Sequence, residues 1–226
     1  MRVYYRTHAL LGENSTTLLR LLGTLVTGWP LYLWFNVSSG QVASDLKSKL
    51  DRGGHRDHFR PSSQIMPDAL SAKVMLSTAG CLCTLAILVH TRSMYAYAGP
   101  YLVVNAWLVL YTWLHHAHVS VPHYGLGTEG VYSHTVGALC TVDRPYPWLI
   151  DHLHHHLGTT HVVHHLNYGV PHYRAVACTE ELTRALEASG MYRYDATPIH
   201  KALWQTFRDC VCVNGIDGVQ YYVKPG

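Results

Sequence analysis

A chain of 226 residues with 48% hydrophobic and only 14% charged residues has apolar material for one folded unit and too little charge for an ordinary soluble surface, where charged residues make up roughly a quarter. The same apolar content excludes a disordered chain. A formal charge of +3 without any Lys/Arg block argues against a dedicated nucleic-acid protein.

In chain order, MRVYYRTHALLGENS lacks the apolar run of a signal peptide. Residues 17–37 hold Arg20 near the start, Pro30 inside, and the aromatic cluster Trp29, Tyr32 and Trp34. This pattern predicts a segment that lies on the bilayer or dips into it. Asn36-Val37-Ser38 matches an N-glycosylation acceptor, on the wrong side of the membrane under the topology that follows. Val74–Val89 and Ala98–Leu114 carry no charge. As helices they reach roughly 24 and 26 Å, so flanking residues must complete a hydrocarbon core of about 30 Å, a duty suited to the Tyr and Trp at their edges. The short link HTRSMYAY makes them an antiparallel hairpin. Lys47, Lys49, Arg52, Arg56, Arg60 and Lys73 precede the first span, whereas the link holds only Arg92. The positive-inside rule therefore places both outer ends in the cytosol.

Residues 115–226 form the expected cytosolic cap. Within it, Thr179–Ser189 reads as a helix capped by Thr179 and stopped by Gly190. Cys210–Val223 alternates around Asn214-Gly215 and Asp217-Gly218, the pattern of a short strand pair. The six cysteines, Cys81, Cys83, Cys140, Cys178, Cys210 and Cys212, contain no CxxC pair, so neither a disulfide framework nor a zinc ribbon is indicated. The expected fold class is all-α integral membrane: a transmembrane helical hairpin, a histidine-rich helical cytosolic cap and a small β-like C-terminal tail, in a single domain spanning residues 1–226.

Of 18 histidines, 13 fall between His115 and His172. His161, His164 and His165 form HVVHH, whose spacings of three and four predict all three imidazoles on one helix face. His152, His154, His155 and His156 arrive within about two turns upstream if the helix is continuous. A further group, His115, His116 and His118, follows the second span. Seven imidazoles in the 14 residues 152–165 exceed the needs of a soluble helix and point to metal. Neutral imidazole suits Fe, Zn, Cu and Ni alike. The isolated His8, His90, His134 and His200 are read as structural, and the HxxH pair His55 and His58 as a weak candidate.

The stretch HLHHHLGTTHVVHHLNYGVPHYRA resembles the third histidine box and following turn of membrane fatty-acid desaturases of the acyl-lipid delta-12 (omega-6) type. GWPLYL with FNVSSG, AGPYLVVNAWLVLYTWLHHAHVSVPHY, GALCTVDRPY and YDATPIHKALW follow that family's order, from about Gly28 to the C-terminus. The resemblance implies a histidine-held di-iron (Fe) centre and oxygen-dependent removal of two hydrogens from a membrane acyl-lipid chain. It further implies cytochrome b5 or ferredoxin as electron donor, and residence in the endoplasmic reticulum with the histidines cytosolic. Carried over by position, the metal ligands are His161, His164 and His165, with His155 six residues earlier and either His116 or His118 after the last span. Asp143, Asp151, Asn167 and Thr160 are candidates for orienting the imidazoles. The family's HxxxH and HxxHH boxes belong ahead of GWPLYL, where residues 1–27 hold only His8. The chain is therefore read as the C-terminal portion of such an enzyme, with about half of the iron ligands. Two alternatives share these residues: a hydroxylase, acetylenase or conjugase on the same scaffold, and a catalytically inert membrane protein that keeps this part of the fold.

Overall fold

A computed structural model describes residues 2–37, 54–125, 127–128, 130–215 and 217–224. Lys47, Lys49, Arg52 and the Ser38 of the glycosylation pattern lie outside them. The fold is mostly helical, with α1 (Arg2–Phe35), α2 (Ser71–His90), α3 (Met94–His116), α4 (His134–Leu139), α5 (Trp148–Leu153), α6 (His161–Leu166), α7 (His172–Leu186) and α8 (Ile199–Asp209). Among the described residues there are also four two-residue strands, β1 (His123–Tyr124), β2 (Cys212–Val213), β3 (Val219–Gln220) and β4 (Tyr222–Val223). Contacts divide the chain into two units, Leu22–Val109 and Met1–Leu21 with Leu110–Gly226.

Two described helical stretches are long and apolar enough to cross a bilayer, Val3–Phe35 and Asp68–His90. The second contains the expected span 74–89. The expected span 98–114 is helical within α3, but Tyr101, Asn105, Trp107, Tyr111 and Trp113 dilute its hydropathy, and it is not one of the two. Residues 17–35 are the later part of a longer helix than the sequence suggested. Gly12 adopts a non-helical φ of 76° inside it, a conformation glycine tolerates without steric cost. The helix stops where Asn36 turns left-handed, with φ 52°.

Within the unit 22–109, the GWP of residues 28–30 and Asn105 of α3 act together. Pro30 has no N–H, so the Val26 carbonyl loses its helical partner. The buried Asn105 Nδ2 donates to Val26 O at 3.0 Å and also to Leu25 O. Gly28 makes the approach possible, since a Cβ there would stand 3.0 Å from Val109 Cγ2. Asn105→Leu keeps the volume and strands the Val26 carbonyl. The expected loss is about 1–2 kcal/mol in a detergent unfolding titration, and it shrinks in a Pro30→Ala background, where residue 30 regains its own N–H. An equal loss in both backgrounds contradicts this account. Of the weak pair His55 and His58, His58 is packed into the fold: its ring lies on Tyr32 with centroids 4.6 Å apart, and its backbone N–H donates to Leu33 O at 2.9 Å.

In the other unit, Arg20 explains its own place in an apolar helix. Its guanidinium donates to Phe207 O at 2.5 Å and Cys210 O at 3.5 Å, the C-terminal carbonyls of α8, where a cation is favoured. The core gathers Leu114, Val121, Val142, Val162 and Phe207, each at most 1% exposed, and α6 packs between α4 and α7. α7 starts at His172 behind Pro171 (φ −69°, ψ 147°), so Thr179 lies inside the helix and does not cap it. A 3-10 turn then carries the chain to Gly190, which stops it as expected with φ 63°. β2 pairs antiparallel with β4, closing the tail on itself, while β3 pairs with β1.

Candidate metal centre

Three imidazoles converge: one ligand atom each from His116, His161 and His165 lies within 4.8 Å of the others. His116 is the last residue of α3, His161 the first of α6, and His165 one turn further along α6. His161 Nε2 stands 3.1 Å from His116 Nε2 and 3.0 Å from His165 Nε2. A neutral imidazole nitrogen is either one donor or one acceptor, so three facing Nε2 atoms cannot satisfy one another. His161 Nδ1 is also buried, with no hydrogen-bond partner among the described residues. Burial holds His161 well below the usual imidazole range, reinforced by His115, His116, His165 and His164. Burial likewise pushes His116 down to about 4 and lowers His165. All three are therefore neutral at pH 7, with lone pairs available to a cation.

The remaining expected ligands stand elsewhere. α6 has only six residues, and at about 100° per residue the i+3 and i+4 positions diverge. His164 consequently leaves the face shared by His161 and His165 and is exposed. With His154, His155 and His172 it lines a separate cavity of about 330 Å³, where the His155 and His172 rings lie 4.4 Å apart. The helix expected to run through 152–165 is broken after Leu153, because His155 and His156 take left-handed φ values of 53° and 60°. His118 turns away: Nδ1 meets Ser120 Oγ at 2.7 Å and Nε2 lies 3.8 Å from Asp195 Oδ2. Of the two alternatives after the last span, His116 joins the cluster and His118 does not.

Of the orienting candidates, Asp143 bonds α6 through its side chain. It accepts from Val162 N–H at 2.9 Å and from the Tyr192 hydroxyl at 2.8 Å, and burial raises its carboxyl to about 6 against these bonds. Asp151 instead meets His156 at 2.6 Å. Thr160 bonds the His156 carbonyl at 2.9 Å, and Asn167 accepts from Gly169 N–H at 3.0 Å. Sequence reasoning grouped His115 with His116 and His118 but gave it no role at the site. Its Nδ1–H donates to Val142 O at 2.6 Å, which leaves Nε2 to accept from the Tyr146 hydroxyl at 3.2 Å. Its ring lies 4.4 Å from that of His161, so it forms a wall of the site. Burial pushes it down to about 3.

The model of the family described as fatty acid desaturase matches residues 7–197. The chain belongs to the fatty acid desaturase family. The match begins well ahead of Gly28, taking in most of α1. Desaturase relatives include a delta(12) fatty acid desaturase of Calendula officinalis, 38% identical over 91% of this chain and 52% of its own length. A delta(12) fatty acid desaturase of Mortierella alpina is 35% identical over 92% and 50%. An oleoyl-12-hydroxylase of Ricinus communis is 34% identical over 88% and 49%. The chain thus spans about half the length of the desaturases it matches. No solved structure matches it.

Proposed function

We propose that this chain supplies part of the di-iron centre, and part of the surrounding fold, of a membrane acyl-lipid desaturase of the delta-12 type. The observation that carries the reading is the convergence of His116 with His161, 45 residues further along, and with His165, in a chain of the desaturase family. Iron bound there supplies, with O2 and external electrons, the oxidising power to remove two hydrogens from an unactivated acyl chain. The chain's own residues hold neutral imidazoles ready, and the buried wall of His115, Tyr146 and Val162 excludes water from one side. His155 and His164, at their separate cavity, are ligands for the second iron. Three converging imidazoles fall short of two iron shells, so further histidines are drawn from sequence equivalent to the other half of the relatives.

In this reading the two units form one desaturase domain in the endoplasmic reticulum membrane. Segments 74–89 and 98–114 span it, 17–37 lies at or dips into it, and residues 115–226 meet cytochrome b5 or ferredoxin in the cytosol. A single cysteine at Ser93 should react only with reagents that reach the lumenal side. Labelling from the cytosol contradicts the topology.

The activity is tested in a host lacking delta-12 desaturation, by lipid profiling on gas chromatography. The chain alone should form no dienoic acid. A chimera that precedes it with the unmatched half of the Calendula relative should form one. A hydroxylated product would move the assignment to a hydroxylase. A folded, iron-loaded chimera without product would establish the inert reading.

A further inference from the structure

Three consecutive residues, Val142, Asp143 and Arg144, are each at most 1% exposed and belong to no helix or named strand. A buried irregular segment must place its backbone groups elsewhere; here backbone and side chains together bond the end of α3, α6 with the turn ahead of it, and residues 193–195. Val142 N–H donates to His115 O at 2.9 Å, and its carbonyl accepts from His115 Nδ1. Arg144 Nε donates to Leu114 O at 2.7 Å. Together they hold the end of α3, where its carbonyls have no helical partners and His116 is the next residue. Toward α6, Asp143 Oδ1 accepts from Val162 N–H, and Arg144 N–H donates to Gly158 O at 2.8 Å. A third side is tied as well. Asp143 N–H meets Arg193 O at 3.0 Å, Asp195 N–H meets Asp143 O at 3.0 Å, and Arg144 Nη1 pairs with Asp195 Oδ2.

We propose that this strap sets the separation between His116 on α3 and His161 and His165 on α6, which makes Asp143 and Arg144 positioning residues of the metal centre. The inference rests on the metal reading above. Neither residue touches the converging nitrogens. Each holds the backbone next to a ligand, and a ligand shell is sensitive to displacements far smaller than those that unfold a domain.

Cobalt(II) titration of the full chain in detergent, read by visible absorption, tests it alongside thermal unfolding. His161→Ala addresses the metal reading itself: unchanged cobalt binding there, or no binding by the unsubstituted chain, removes that reading and the proposal with it. Arg144→Lys retains the charge but cannot reach Leu114 O and Asp195 together. It should weaken cobalt binding about 10-fold or more and alter the absorption band. Asp143→Ala should do the same, while Asp143→Asn, which keeps an acceptor for Val162 N–H, should restore affinity to within about 3-fold. Phe207→Leu, a core change against Trp113, should lower the unfolding temperature and leave the band unaltered. Unchanged affinity and band in Arg144→Lys, with His161→Ala still deficient, overturn the proposal and spare the metal reading. If Asp143→Ala fails to fold, Arg144→Lys and Asp143→Asn decide the matter.

Discussion

Alanine at His161 is expected to lower the affinity of the chain for iron(II) by about 100-fold or more, because no neighbouring group can replace a lost ligand. His161 is the hub: its Nε2 lies within 3.1 Å of both His116 and His165, so its removal leaves a cation only two of the three converging imidazoles. His116→Ala and His165→Ala should follow closely. His118→Ala, bonded to Ser120 outside the cluster, should bind as the unsubstituted chain does. His164→Ala should leave the affinity of the three-histidine cluster intact, since its ring faces the other cavity. Calorimetric titration of the purified variants decides between this pattern and uniform loss at all five positions, which would indicate a general folding defect.

Gly158→Ala is expected to destabilise the histidine-bearing unit by about 3 kcal/mol or more. The added Cβ would stand 2.1 Å from Tyr146 Cδ2 and 2.8 Å from the Arg144 carbonyl oxygen, closer than any real contact of that kind. A glycine-to-alanine change ordinarily gains about 0.4–1 kcal/mol through the unfolded chain, too little to offset such an overlap. The ring cannot simply swing away, because Tyr146 is 6% exposed and its hydroxyl is engaged with His115. Removing the ring in a Tyr146→Ser background relieves the closest clash and leaves the carbonyl one, so rescue should be partial. Chemical denaturation of the four proteins measures this. A wild-type midpoint for Gly158→Ala would show that the 158 turn and the Tyr146 ring do not pack as described.

The chemistry was more legible in the sequence than the geometry. HVVHH marked, by composition and spacing, the segment that carries two of the three converging imidazoles, and those two share a face as an i, i+4 pair should. The third does not, because adjacent helical positions i+3 and i+4 point about 100° apart. Spacing could not separate His116 from His118. The choice is made by Ser120 and Asp195, the latter 77 positions further along the chain than His118. His155 was placed by its position in the family pattern, six residues ahead of HVVHH, and two left-handed residues at 155 and 156 interrupt the helix that would have carried it in line with that segment.

The helicity of 74–89 and 98–114 and the closing of the tail were visible as charge-free runs and Asn-Gly or Asp-Gly turns. The start of α7 was not, because acidic residues after Thr179 mimic a first turn while the chain had already entered the helix at His172. The partnership of Pro30 with Asn105 and the strap at 142–144 depend on hydrogen bonds between distant segments, which no local pattern records. GWP and VDR were noticed as family-like motifs. Their physical roles, an orphaned carbonyl with its donor and a tie between two ligand helices, become readable only in three dimensions.

X-ray absorption at the iron edge of the iron(II)-loaded 226-residue chain tests the central claim most directly. Imidazole rings give a distinctive multiple-scattering pattern, and the convergence of His116, His161 and His165 predicts about three imidazoles per tightly bound iron, a pattern that collapses in His161→Ala. An iron shell of oxygen scatterers alone, or an imidazole count unchanged by that substitution, would contradict it.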